Sequence, residues 1–148
     1  MRVYLDNCIF NRPFDDQSHI RIRLEAEAKL YIQQQIREQK LELVWSYILE
    51  FENVQNPYHE RQHVIQTWKA LAVVDIEESP VLLDTARILL AQGIRANDAL
   101  HVACAVEGQA DYFPSTDDKL LKKLQAINII SALNPMDYIK ELPHETTH

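Results

Sequence analysis

The chain has 148 residues, 47% of them hydrophobic, which is enough for one domain with a core of its own. A formal net charge of −7 argues against a broad basic face for tight, non-specific nucleic-acid binding. Only two glycines are present, Gly93 and Gly108, which excludes a P-loop, a dinucleotide fingerprint and a nucleophile elbow.

Val3-Tyr4-Leu5, β-branched and aromatic, reads as a buried strand. Asp6 follows at once, where open parallel sheets bind ligands, although Asp and Asn also turn a chain on their own account. Residues 11–16 form a loop, and Ser18 can cap the next segment. From His19 to Lys40 the pattern is helical. Ile20, Leu24, Ala28, Tyr31, Ile32 and Ile36 lie along one side, and a wet side is rich in Arg, Glu and Gln. Leu41 to Trp45 reads as a second strand. Ser46 caps a short helix with Ile48, Leu49, Glu50 and Phe51, which Asn56-Pro57 breaks. A polar helix runs from Tyr58 to about Lys69, and Leu71 to Ile76 is a third strand.

Ser79-Pro80 opens another helix, ended by Gly93. Asn97 to Glu107 is nearly all small and apolar, hence a buried helix, and Gly108 closes it. Tyr112-Phe113 is a fourth strand, Ser115 to Leu124 a helix, and Ile127 to Ile130 a fifth strand. Asn134-Pro135 starts a last helix, ahead of a loose tail over 143–148. The alternation predicts an α/β fold in a single domain over 1–148, its parallel sheet covered on both faces. Cys8 and Cys104 sit in apolar segments as reduced core thiols. No apolar run suits a membrane span or a signal peptide, so a cytoplasmic protein is expected.

Four acids fall where strands end or helices begin: Asp6, Glu50, Asp98 and Asp117. Each has a local use. Glu50 can lie on a wet helix face, Asp98 can complement a helix dipole, and Asp117 or Asp118 can sit in an N-terminal turn. In a parallel sheet Asp6, Glu50 and Asp117 share one edge, and Asp98 joins them if its helix starts there. Clustered carboxylates repel unless cations neutralise them, and Mg²⁺ or Mn²⁺ takes such oxygen ligands. Such ions activate water and brace a phosphodiester for in-line displacement.

VYLDNCIF, SYILEFENV, ANDALHVACA and ADYFPSTDDKLL, in that order, resemble the PIN-domain family, the fold of the VapC-type toxin ribonucleases. The resemblance implies a three-layer α/β/α sandwich with strand order 3-2-1-4-5 and strand one central. It assigns the site to Asp6, Glu50, Asp98 and Asp117, with Ser115, the hydroxyl of the turn, as a substrate-binding residue. Asp118 is the alternative to its neighbour Asp117, and Glu52, two residues from Glu50 on a helix, is expected to face elsewhere. The implied activity is a Mg²⁺- or Mn²⁺-dependent endoribonuclease acting on single-stranded RNA, with an antitoxin protein and a second copy of the chain as partners. The same fold serves as a non-catalytic interaction module when its acids are lost; here all four are present.

Arg12, Arg95 and Lys119 lie close in sequence to these acids and can offset an RNA backbone. Tyr58, Val64, Ile65 and Trp68 have no evident core role and suggest a homodimer contact. His59-Glu60-Arg61-Gln62-His63 is a literal H-E-x-x-H string, the zinc metallopeptidase alternative, with Glu77, Glu78 or Asp84 as third ligand. Its wet helix argues against that role, since ligands need packing behind them. His101, one turn after Asp98, reads as a hydrogen-bonded core residue.

Overall fold

A computed structural model describes residues 1–6, Ile9 and residues 19–141. Cys8, Arg12, Ser18 and the tail lie outside the described residues. In chain order the elements are β1 (Arg2–Tyr4), α1 (Ile20–Arg37), β2 (Glu42–Ser46), α2 (Tyr47–Val54), α3 (His59–Lys69), β3 (Val74–Ile76), α4 (Pro80–Ala91), α5 (Ala96–Glu107), β4 (Tyr112–Pro114), α6 (Asp118–Ile127), β5 (Ser131–Leu133) and α7 (Pro135–Glu141). The sheet is parallel throughout, ordered β3-β2-β1-β4-β5. Val3 pairs with Leu43 on one side and Tyr112 on the other, so β1 is central.

Val3, Tyr4 and Leu5 are fully buried, as are Leu43, Val44 and Trp45. A run buried at successive positions needs cover on both faces of the sheet, and helices supply it. On one flank α4 packs on α5, and α5 on α2 and β2; on another α1 packs on α7, and α7 on β5. Arg2 Nη1 donates to Gly108 O at 3.1 Å, at the end of α5, while His101 reaches Tyr4. Helix α5 therefore runs antiparallel to β1, with its first turn at the carboxyl edge of the sheet. Ser46 and Ser79 cap α2 and α4 through their hydroxyls, as their positions predict. Among the described residues no helix is long and apolar enough to cross a membrane.

Three expectations need correction. The fifth strand is Ser131–Leu133 rather than Ile127–Ile130: α6 continues to Ile127 and stops at Asn128, whose left-handed φ of 59° caps it. Helix α1 is rotated from its expected phase. Ile20 and Leu24 are exposed, while Glu25, Lys29 and Gln33 are buried. Polar partners override hydropathy there: Glu25 Oε2 accepts from Asn134 Nδ2 at 2.7 Å and from Arg21 Nε at 3.3 Å. Finally, Ile65 and Trp68 belong to the core, at 1% and 2% exposure, leaving only Tyr58 and Val64 of that group at the surface.

Candidate active site

The strand order reverses between β1 and β4, and open α/β sheets bind ligands at the carboxyl ends of the strands at such a point. Asp6 stands just past β1 and is buried; its Oδ1 accepts the Ile9 backbone N–H at 3.1 Å. Burial holds its carboxyl above the ordinary value. Nearby His101 and the Ile9 N–H oppose that shift, and the charges of Asp98 and Glu52 add to it. Asp98, half-buried in the first turn of α5, is also raised by burial and then by Asp117; His101 and Arg95 pull it down, and Glu52 pushes it up. Asp6, Glu52, Asp98 and Asp117 are thus electrostatic neighbours.

Asp117 caps α6: its Oδ1 accepts from Lys119 N at 3.0 Å and Leu120 N at 3.2 Å. Asp118 turns away to α1, where Arg21 grips both its oxygens at 3.0 and 2.7 Å and lowers its pKa. Ser115 is 2% exposed, and its Oγ accepts the Asp117 N–H at 3.1 Å. Its hydroxyl shapes the turn that presents Asp117. A small cleft joins Asp98 and Asp117 to Arg95, Lys119 and Lys123.

Glu50 points elsewhere. It accepts from Trp45 Nε1 and Gln66 Nε2, each at 3.2 Å, and pairs with Lys69 Nζ at 3.5 Å, between α2 and α3. Two residues along a helix is about 200° of rotation, so Glu52 faces the opposite side. There it meets α5: Asn97 Nδ2 donates to Glu52 Oε2 at 3.0 Å, and His101 Nε2 bonds Glu52 Oε1. A signal for this existed in the sequence. His101 is polar on a helix otherwise buried through Ala99, Val102, Ala103, Cys104 and Ala105, and a buried imidazole needs partners.

A PIN-domain family model matches residues 3–126. The chain belongs to the PIN-domain family. Members of this family are generally nucleases. A chain of the 2.2 Å structure of VapBC-1 from nontypeable Haemophilus influenzae superposes with a TM-score of 0.59 at 17% identity, covering 91% of this chain and 98% of that one. At that identity the likeness is one of fold. No curated protein matches the chain.

Among the described residues no three carboxylate, imidazole or thiol groups already enclose a single ion position, and Glu52 is held by His101 and Asn97. The donor chemistry of this PIN domain still fits a hard divalent cation. The candidate ligands are all carboxylate oxygens, and burial first, then neighbouring carboxylates, raise the pKa of two of them, Asp6 and Asp98. The H-E-x-x-H string offers no comparable gathering: His59 and His63 are exposed on α3, with no third ligand assembled among the described residues. Cys104 is buried, and burial pushes its thiol up to about 12, so it stays protonated and inert.

Proposed function

We propose that this PIN domain is a metal-dependent endoribonuclease, active in the cytoplasm on single-stranded RNA, with its centre at Asp6, Glu52, Asp98 and Asp117. Glu52 here replaces Glu50, which the motif alone suggests. The observation that carries the reading is the crowding at the switch point: burial and neighbouring carboxylates both disfavour ionised Asp6 and Asp98. A fold gains nothing from that repulsion unless a cation offsets it. Mg²⁺ or Mn²⁺ held by these four acids would neutralise their charge and lower the pKa of a water, making its deprotonated form available as the nucleophile toward phosphorus.

The other residues bind and orient. Arg95, Lys119 and Lys123 rim the cleft beside Asp98 and Asp117 and suit the flanking phosphates of the RNA. Arg12 is a further candidate for the same contact. Ser115 acts through Asp117 rather than on the RNA, since its hydroxyl is buried against that turn. An antitoxin protein and a second copy of the chain are the proposed partners. Exposed Phe51, Val54, Tyr58 and Val64 on or beside α2 and α3 offer apolar surface for such a contact.

The test is cleavage of a single-stranded RNA by the purified protein with chelator, Mg²⁺ or Mn²⁺. The expected result is cleavage only with a divalent ion, and none by Asp98→Asn. No cleavage by the wild type with either ion would favour the non-catalytic interaction module.

A further inference from the structure

We propose that His101 is the positioning residue that sets Glu52 for the metal centre, itself held in register by Tyr4 and Ser46; the inference rests on the assignment of Glu52 to that centre. His101 is 2% exposed, and both ring nitrogens are engaged. Its Nδ1 lies 2.7 Å from the Tyr4 hydroxyl, and its Nε2 bonds Glu52. The Tyr4 hydroxyl lies 2.6 Å from Ser46 Oγ, which accepts the Leu49 N–H at 3.2 Å.

With the imidazole neutral, one direction of donation satisfies the whole chain of atoms. Leu49 N–H donates to Ser46, the Ser46 hydroxyl to Tyr4, and the Tyr4 hydroxyl to His101 Nδ1. That leaves the proton of the imidazole on Nε2, aimed at the Glu52 carboxylate. A hydrogen bond to one ring nitrogen thereby fixes what the other presents.

Packing holds the chain rigid. Tyr4 is fully buried, stacks on Phe113 with centroids 5.7 Å apart, and meets the His101 ring edge-on, also at 5.7 Å. Glu52 is a long side chain only partly covered, and holding it in one rotamer costs side-chain entropy that its contacts must offset. Two groups that hold it, Asn97 and His101, stand one turn apart on α5, the helix that carries Asp98. A single rigid helix therefore fixes Glu52 relative to Asp98. Asn97 is exposed, so of this pair the buried imidazole is the more rigid.

The experiment is Mn²⁺ binding to the metal-free full chain, read from the electron paramagnetic resonance of free Mn²⁺, beside RNA cleavage at saturating Mn²⁺. The variants are Glu52→Gln, His101→Leu, His101→Gln and Tyr4→Phe. His101→Leu is expected to weaken Mn²⁺ binding by about 10- to 100-fold, the usual effect of losing a group that orients a ligand. His101→Gln, whose amide can replace the Nε2 donor, restores most of it. Tyr4→Phe, which touches neither metal nor Glu52, weakens binding in the same direction by less. The KM for RNA stays unchanged in all three while kcat falls in His101→Leu and Tyr4→Phe. If His101→Leu fails to fold, Tyr4→Phe decides. Wild-type Mn²⁺ affinity in folded His101→Leu or in Tyr4→Phe, with affinity lost in Glu52→Gln, overturns the role of His101 alone. Wild-type affinity in Glu52→Gln overturns the reading of Glu52 beneath it.

Discussion

Asp98 separates two physical roles for one carboxylate. A residue that serves a helix N-terminus gains from being charged, and its pKa falls. The Asp98 pKa is raised, by burial first and then by Asp117, so its charge works against folding. Its folded pKa lies above the ordinary 3.8, so the folded chain binds the proton more tightly. The metal-free protein therefore loses stability as pH rises from 3.8 through the folded pKa, and the penalty is complete above it. Asp98→Asn removes the penalty. In chelator at neutral pH its melting temperature should exceed that of the wild type, with the gain shrinking as pH falls toward 3.8. Thermal melts across that range check it, and a variant less stable at neutral pH would restore the helix-end role. That Asp6 and Asp117 fall at one edge of the sheet was legible in the sequence, because both follow strand ends; Asp98 joins them because α5 starts at that edge, which the sequence left as a condition. Glu50 against Glu52 was not: Ile48, Leu49 and Phe51 surround α2 with apolar residues, so the pattern gives no phase. The phase is set by α5 on one side and by Gln66 and Lys69 on the other.

At the scale of elements, α5 is the spine of the site, and its last residues decide how closely it approaches the sheet. A Cβ on Gly108 would stand 2.6 Å from Val44 Cγ1 and 3.3 Å from Ile76 Cγ1. The close approach of helix to strands, rather than an unusual backbone angle, is what requires glycine there. Gly108→Ala should cost about 1–3 kcal/mol in urea unfolding, as overpacking does. An unchanged midpoint would mean that α5 can lift without loss. Elements whose burial follows hydropathy, such as β1, β2 and α5, were legible in the sequence. Helix α1 was not, because its inner face is a polar network. Glu25, paired within the helix to Arg21, also meets Asn134, and Arg21 reaches Asp118 of α6; these last two contacts join segments far apart in sequence.

In the whole molecule, an acidic chain presents a restricted basic rim beside its carboxylates, which suits a polyanion held at one place rather than along a broad face. Arg95→Ala and Lys119→Ala should each weaken RNA binding. Each should flatten its dependence on log salt by about 0.7, the share of one single-strand phosphate contact. Equal slopes in wild type and both variants would move the RNA away from this cleft. Light scattering at micromolar concentration should give the mass of a dimer, and a monomer mass would remove the second copy as a partner. The central claim is that Glu52, with Asp6, Asp98 and Asp117, makes the metal centre at the switch point of the sheet. Its most direct test is Mn²⁺-dependent cleavage of one single-stranded RNA by Glu52→Gln and Glu50→Gln side by side. The account predicts that Glu52→Gln is inactive while Glu50→Gln cleaves like the wild type; loss of cleavage in Glu50→Gln with activity kept in Glu52→Gln would contradict it.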